Sequence, residues 1–135
     1  MAIAEGVLDE LKRRARAAAA HAYAPYSGFA VGAAVLIEGG TIHSSANVEN
    51  ASFGLSNCAE RNAIFQAVAS GARKIEALAV YTPTAAATMP CGACRQVLSE
   101  FGAAAIVICC STDDARERRF TLEQLLPAAF GRSSL

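Results

Sequence analysis

The chain has 135 residues, enough to bury a core but too few for two ordinary domains, so a single domain over 1–135 is expected. Lys plus Arg and Asp plus Glu are 12 each, for a net charge of zero. That balance argues against a nucleic-acid polymer as partner, because its phosphates are met by clustered Lys and Arg; a small neutral ligand fits better. Apolar residues make up 53%, with much of the excess in alanine, yet no run is long enough to span a bilayer.

Residues 4–23 read as a helix. Val7, Leu8, Leu11 and Ala15, then Ala18, Ala19 and Ala22, recur at helical spacing. Lys12, Arg13, Arg14 and Arg16 fall on the other face. Glu5, Asp9 and Glu10 among them make this a solvated face rather than a targeting peptide. Pro25 is expected to end the helix. Residues 29–38 and 41–47 are strand-like, joined by Gly39-Gly40, a pair suited to the positive backbone angles of a tight hairpin. A second helix is expected over 58–70, a buried strand over 75–81, a loop over 83–90 and a third helix over 91–101. Residues 104–110 read as another buried strand, in which Cys109 and Cys110 are small hydrophobes. A turn over 111–116, a short edge strand over 117–120 and a last helix from Thr121 complete the chain. The Thr121 hydroxyl, with Glu123 or Gln124, can cap that helix. This order predicts an α/β fold: a mixed sheet of about five strands with helices on its faces.

Two short stretches carry the chemistry: Cys58-Ala59-Glu60-Arg61 and Pro90-Cys91-Gly92-Ala93-Cys94-Arg95-Gln96. Together they offer three thiolates and a carboxylate. Three protein ligands are what a catalytic zinc uses, since its fourth position stays open for water; a structural site closes with a fourth side chain. No such ligand stands beside these motifs, and His21 and His43 lie outside both. Cys91-x-x-Cys94 alone could be a redox dithiol, but that reading does not account for Cys58-x-Glu60 upstream. Both stretches open helices, where free amide groups and the helix dipole stabilise thiolates. Glu60, two residues after a ligand, is placed to exchange protons with water at the metal. Three thiolates leave a zinc site net negative, and Arg61 can offset this by donating to the sulfurs. The odd cysteine number and the metal spacing argue against a disulfide framework, so a reducing cytoplasm is expected.

Cys58-x-Glu60 followed by Pro90-Cys91-x-x-Cys94 has the form of the zinc-deaminase signature, with Cys58 in place of its histidine. With Asn47 to Leu55, Pro25-Tyr26-Ser27, Phe29 to Ala34 and Leu125 to Phe130, nearly the whole chain resembles the small, homotetrameric, free-nucleoside cytidine deaminases. The resemblance implies a three-layer α-β-α fold with helices on both faces of the sheet. It also implies one Zn²⁺ per subunit on Cys58, Cys91 and Cys94, with Glu60 carrying protons from water to ring N3 and to the leaving ammonia.

The resemblance further implies that backbone groups of Ala59 and Cys91 hold the pyrimidine edge, that Asn47 and Glu49 bind the ribose hydroxyls, and that Phe29 lies beside the nucleoside. Phe130 is implied to reach a neighbouring subunit's pocket, with active sites near the interfaces of a homotetramer. The Glu49 carboxylate should repel a phosphate and so favour nucleosides over nucleotides. Phe53 stands where the family often has tyrosine, which removes a hydroxyl near the interface. The expected function is deamination of cytidine and deoxycytidine to uridine and deoxyuridine in pyrimidine salvage. The alternatives are a deaminase of another small amino-nucleoside or nucleoside antibiotic, and a non-catalytic zinc-containing nucleoside binder. Asn47-Val48-Glu49-Asn50 favours cytidine and the intact Glu60 favours catalysis.

Overall fold

The computed structural model describes residues 2–135. Strands β1 (Gly32–Ile37), β2 (Ile42–Ala46), β3 (Ile75–Tyr81), β4 (Ile106–Cys110) and β5 (Arg118–Thr121) form one sheet in the order β2-β1-β3-β4-β5. β3 and β4 run parallel and the other neighbours antiparallel, so the sheet is mixed, as expected. Side chains alternate across it. Ala34, Leu36, Ala77, Ala79 and Tyr81 face α1 (Glu5–Ala19), packing on Leu8, Leu11 and Ala15. Ala33, Val35, Leu78, Val80, Val107 and Cys109 face α2 (Ala59–Ala69) and α3 (Gly92–Phe101), meeting Ala63, Ile64, Ala67 and Leu98. Helices on both faces make the three-layer α-β-α arrangement. A short α4 (Leu122–Leu125) follows β5 and is capped by Thr121 with Gln124 rather than Glu123.

Several alanines, among them Ala15, Ala34, Ala63 and Ala67, lie where elements approach closely. A Cβ on Gly32 would stand 1.9 Å from the Ala15 carbonyl oxygen and 2.6 Å from the Ala19 nitrogen, so α1 rests directly on the backbone of β1. The hairpin turn is as expected, with Gly39 and Gly40 both at φ +99°.

Two expectations need correction. α1 ends at Ala19, not near residue 23. The chain leaves the helix before Pro25 because Tyr23 is drawn to the 47–49 segment: its N–H donates to Asn47 O at 3.0 Å and its carbonyl accepts from Glu49 N at 2.8 Å. Residues 29–31 are not strand either. The Asn47 side chain takes the place of a neighbouring strand there, accepting from Val31 N at 2.9 Å and donating to Phe29 O at 2.8 Å.

The α1–β1 contact leaves no room for a methyl group. Gly32→Ala is expected to cost about 3 kcal/mol, the upper end for overpacking, read as a lower urea midpoint with an unchanged slope; an unchanged midpoint would contradict the contact.

Candidate active site

Cys58 and Cys91 immediately precede α2 and α3, in extended backbone at φ −72° and −68°, and neither side chain caps its helix. The first-turn N–H groups therefore stay free, and the positive end of each helix faces the sulfurs. The Cys58 and Cys91 sulfurs are 4.0 Å apart, those of Cys91 and Cys94 3.5 Å, and all three lie within 4.8 Å of one another. Around a tetrahedral zinc with bonds of about 2.3 Å, neighbouring sulfurs stand about 3.8 Å apart. The donor set thus fits zinc. Among the described residues no fourth His, Cys, Asp or Glu joins the cluster, which leaves one tetrahedral position for a small molecule.

The charges at the site are mutually dependent. Hydrogen bonds from the Cys94 thiol and then from Arg61 bring the Cys58 thiol down to about 5, against the opposing effect of burial. Cys94 is pushed up by the same contact and by its burial. Arg61 Nη2 lies 3.4 Å from the Cys58 sulfur. Its Nε–H is buried without a hydrogen-bond partner among the described residues, leaving a spare donor on the guanidinium that faces the sulfurs. Glu60 is only 5% exposed, and burial, helped by the Cys58 charge, raises its pKa. A carboxyl held this way can take and release protons nearer neutrality than a surface glutamate.

A cavity of about 290 Å³ opens onto this cluster, with Cys58, Ala59, Glu60 and Cys91 joined by Phe29, Val31, Val80 and Met89 and by the polar Ser27, Asn47, Glu49, Asn57, Thr82 and Thr88. Its size is near the lower end of small-molecule pockets, which start at about 300 Å³. Of the site residues expected from sequence, Phe29, Asn47, Glu49, Cys58, Ala59, Glu60 and Cys91 line the cavity, Cys94 is buried beside the other two sulfurs, and Arg61 and Phe130 do not line it. Arg61 stands behind the sulfurs. Phe130 is 62% exposed, and its carbonyl accepts from Gln96 Nε2 at 2.9 Å.

Several residues that the sequence reading passed over hold the others in place. The Glu49 carboxylate accepts from Ser27 Oγ, from Ser27 N at 3.1 Å and from Tyr26 N at 3.0 Å, and the Ser27 bonds lead in holding its pKa below the usual carboxylate range. Ser27 Oγ also accepts from Phe29 N at 3.0 Å, so one hydroxyl orients both an expected ribose ligand and the aromatic wall. Asn62 donates to Ala46 O at 2.9 Å and accepts from Asn57 at 2.8 Å, tying the end of β2 to α2. Arg95 donates to Pro90 O and to Leu125 O, each at 2.8 Å, fixing the turn before Cys91. Ser27 and Arg95 sit within the quoted motifs, but Glu49 and Leu125, to which they bond, are distant in sequence.

A cleft of about 360 Å³ lies on the opposite, α1 face of the sheet, lined by Asp9, Lys12, Arg16, Tyr81 and Glu117 among others. Its charges largely satisfy one another, Lys12 bridging Glu117 at 2.8 Å and Asp9 at 3.3 Å. Among the described residues it holds no comparable cluster of metal donors.

Residues 7–110 match the family model described as the cytidine and deoxycytidylate deaminase zinc-binding region. The chain is 43% identical to a cytidine deaminase of Sporosarcina psychrophila, over 95% of this chain and 94% of that protein. It is 44% identical to a cytidine deaminase of Mycobacterium tuberculosis, over 93% and 90% respectively. The chain belongs to the cytidine deaminase family. The crystal structure of a cytidine deaminase from Burkholderia pseudomallei superposes with a TM-score of 0.86 at 45% identity, covering 90% of this chain and 98% of that one. The match to the cytidine and deoxycytidylate deaminase zinc-binding region runs from α1 through β4 and includes Cys58, Glu60, Cys91 and Cys94.

A site of this kind should protect its thiols. With zinc bound, Cys58 and Cys91 are expected to resist alkylation at pH 7. After metal removal Cys58 should react readily, while Cys109, pushed up to about 12 by burial, should stay unlabelled. Mass spectrometry of iodoacetamide-treated protein reads this directly, and equal labelling with and without metal would contradict the ligand assignment.

Proposed function

We propose that this chain is a zinc-dependent cytidine deaminase, converting cytidine and deoxycytidine to uridine and deoxyuridine with release of ammonia. The observation that carries this reading is the buried Glu60 carboxyl beside three sulfurs that no fourth donor joins among the described residues, on a cavity of about 290 Å³. The family membership of the chain and the names of its relatives support the same substrate.

In the reaction the oxygen of water forms a bond to C4 of the pyrimidine, and the bond from C4 to the exocyclic nitrogen breaks. One water proton ends on ring N3 and the other on the departing nitrogen. Zinc held by Cys58, Cys91 and Cys94 would supply the Lewis acidity that makes water nucleophilic near neutral pH. Glu60 carries the protons, first to N3 and then to the leaving group, which its raised pKa equips it to do. The free backbone N–H of Ala59, in the first turn of α2, and the backbone at Cys91 hold the pyrimidine edge. Arg61 donates to Cys58 and draws negative charge off the sulfurs.

Glu49 binds the ribose hydroxyls from a carboxylate already aimed by Ser27 and Tyr26. Asn47 contributes through the amide hydrogen left over after its bond to Phe29 O, since an amide nitrogen has two. Phe29 packs along the nucleoside. The absence of a basic lining near Glu49 fits a nucleoside better than a nucleotide.

We further propose a single domain over 1–135, assembled as a homotetramer with its pockets near the interfaces. Phe53 and Leu55 are 73% and 72% exposed, and with Tyr23, Tyr26, Val48 and Phe130 they leave a large apolar surface uncovered. Surfaces of that kind mark contacts with other chains. Phe53 packs edge-on against Tyr26, ring centres 5.7 Å apart, and Phe130 is free to enter a neighbour's pocket. Free thiols at the metal site suit a reducing cytoplasm, where the reaction would serve pyrimidine salvage.

Glu60→Gln should keep one zinc per chain by elemental analysis while turnover of cytidine falls by about 10²–10⁴-fold; a variant retaining near-normal turnover would remove Glu60 from the mechanism. The unsubstituted protein should process cytidine at least about tenfold more efficiently than its 5′-monophosphate. Glu49→Gln should narrow that ratio by weakening the charge discrimination, and an unchanged ratio would assign the discrimination elsewhere.

A further inference from the structure

We infer that Thr82 accepts a hydrogen bond from the exocyclic amine of the bound pyrimidine and so makes the pocket prefer substrate over product. The inference rests on the deaminase reading above. Thr82 follows β3, its N–H bonded to Cys110 O at 3.2 Å. Like Val80 it lines the cavity with Glu60 and Cys91. It is only 1% exposed, so its hydroxyl has to find partners inside the protein or in the cavity.

The direction of its hydrogen bond follows from its neighbours. Thr84 Oγ1 donates to the Ala86 carbonyl at 2.6 Å. A carbonyl can only accept and a hydroxyl has one proton, so the Thr84 proton is used there. At the 2.8 Å contact between the Thr82 and Thr84 hydroxyls the proton therefore comes from Thr82. The Thr88 hydroxyl, 3.5 Å away, is a second and weaker acceptor for the same Thr82 proton, so neither contact occupies the Thr82 Oγ1 lone pairs. The loop is held in this state from outside. The Thr84 carbonyl accepts from Thr112 N at 3.0 Å and from the Thr112 hydroxyl at 3.1 Å.

Thr82 thus presents an acceptor of fixed polarity in the wall that also holds Glu60 and Cys91. Cytidine has an amino group at C4, which donates; uridine has a carbonyl there, which only accepts. An acceptor at this place stabilises the substrate amine and the departing ammonia, and it sets lone pair against lone pair when uridine binds with its C4 carbonyl in the amine's place. That contrast discriminates substrate from product and favours product release.

Thr82→Val removes the hydroxyl at nearly constant shape, and Thr82→Ser retains it. Cytidine kcat/KM, the inhibition constant of uridine and the thermal midpoint should be measured for both. Thr82→Val should lower kcat/KM about tenfold, as for one lost hydrogen bond, without weakening uridine; Thr82→Ser should recover to within about twofold. Thr84→Val, in the loop, gives an independent reading of polarity. It leaves the Thr82 proton only the long 3.5 Å contact to Thr88, so the proton can turn toward the cavity, and uridine should bind more tightly and cytidine less well. Unchanged turnover in Thr82→Val, equal weakening of cytidine and uridine, or a Thr84→Val variant with the normal uridine-to-cytidine ratio would each overturn the inference. An unsubstituted, zinc-loaded protein inert toward cytidine would instead overturn the deaminase reading, and this inference with it.

Discussion

Two helix N-termini meet at one point, and the rest of the site depends on that meeting. Cys58 begins α2 and Cys91 begins α3, so their sulfurs, 4.0 Å apart, share the positive ends of two helices. Thiolates crowded together repel one another, and the free first-turn amides together with Arg61 offset that repulsion before any metal is bound. The sheet makes the meeting possible. α2 leads into β3 and α3 follows it into the parallel β4, so both helices pack on one face. Burying the first turn of α2 against that face also buries Glu60 and raises its pKa. The ligand set and the proton carrier are therefore products of one packing arrangement.

The two faces of the sheet are built differently. On the α1 side, small residues and Gly32 let a helix lie on the strand backbone, and the charges there largely neutralise one another. On the other side, polar groups are held at the cavity by partners far away in the chain. Asn47 shows how closely folding and binding are joined. Its side chain completes the backbone pairing of Phe29 and Val31, so the residue proposed to meet the ribose also shapes the wall that carries Phe29. Replacing it would disturb both at once.

The metal centre was legible in the sequence because its parts are local: Cys58 and Glu60 are two apart, Cys91 and Cys94 three apart, and both pairs open helices whose starts the sequence marks. The order of helices and strands was legible for the same reason, through period and through Gly and Pro punctuation. The end of α1 was not, because Tyr23 answers to Asn47 and Glu49 rather than to the nearby Pro25. Residues 29–31 look like strand by composition, yet their hydrogen bonds are made by a side chain 16 residues or more away. Ser27 and Thr82 were invisible as site residues because a lone hydroxyl carries no spacing signal. Only the fold shows that one is held to Glu49 and that the other lines the cavity with Glu60.

The central claim is that three sulfurs hold one zinc on which deamination depends. The most direct measurement is to strip the purified protein of metal, return zinc in steps, and follow cytidine conversion by ultraviolet absorbance alongside bound zinc. Turnover should be absent without metal and rise in proportion to bound zinc until one equivalent per chain is reached. Conversion of cytidine by fully metal-free protein, or none by protein carrying a full equivalent, would contradict the account.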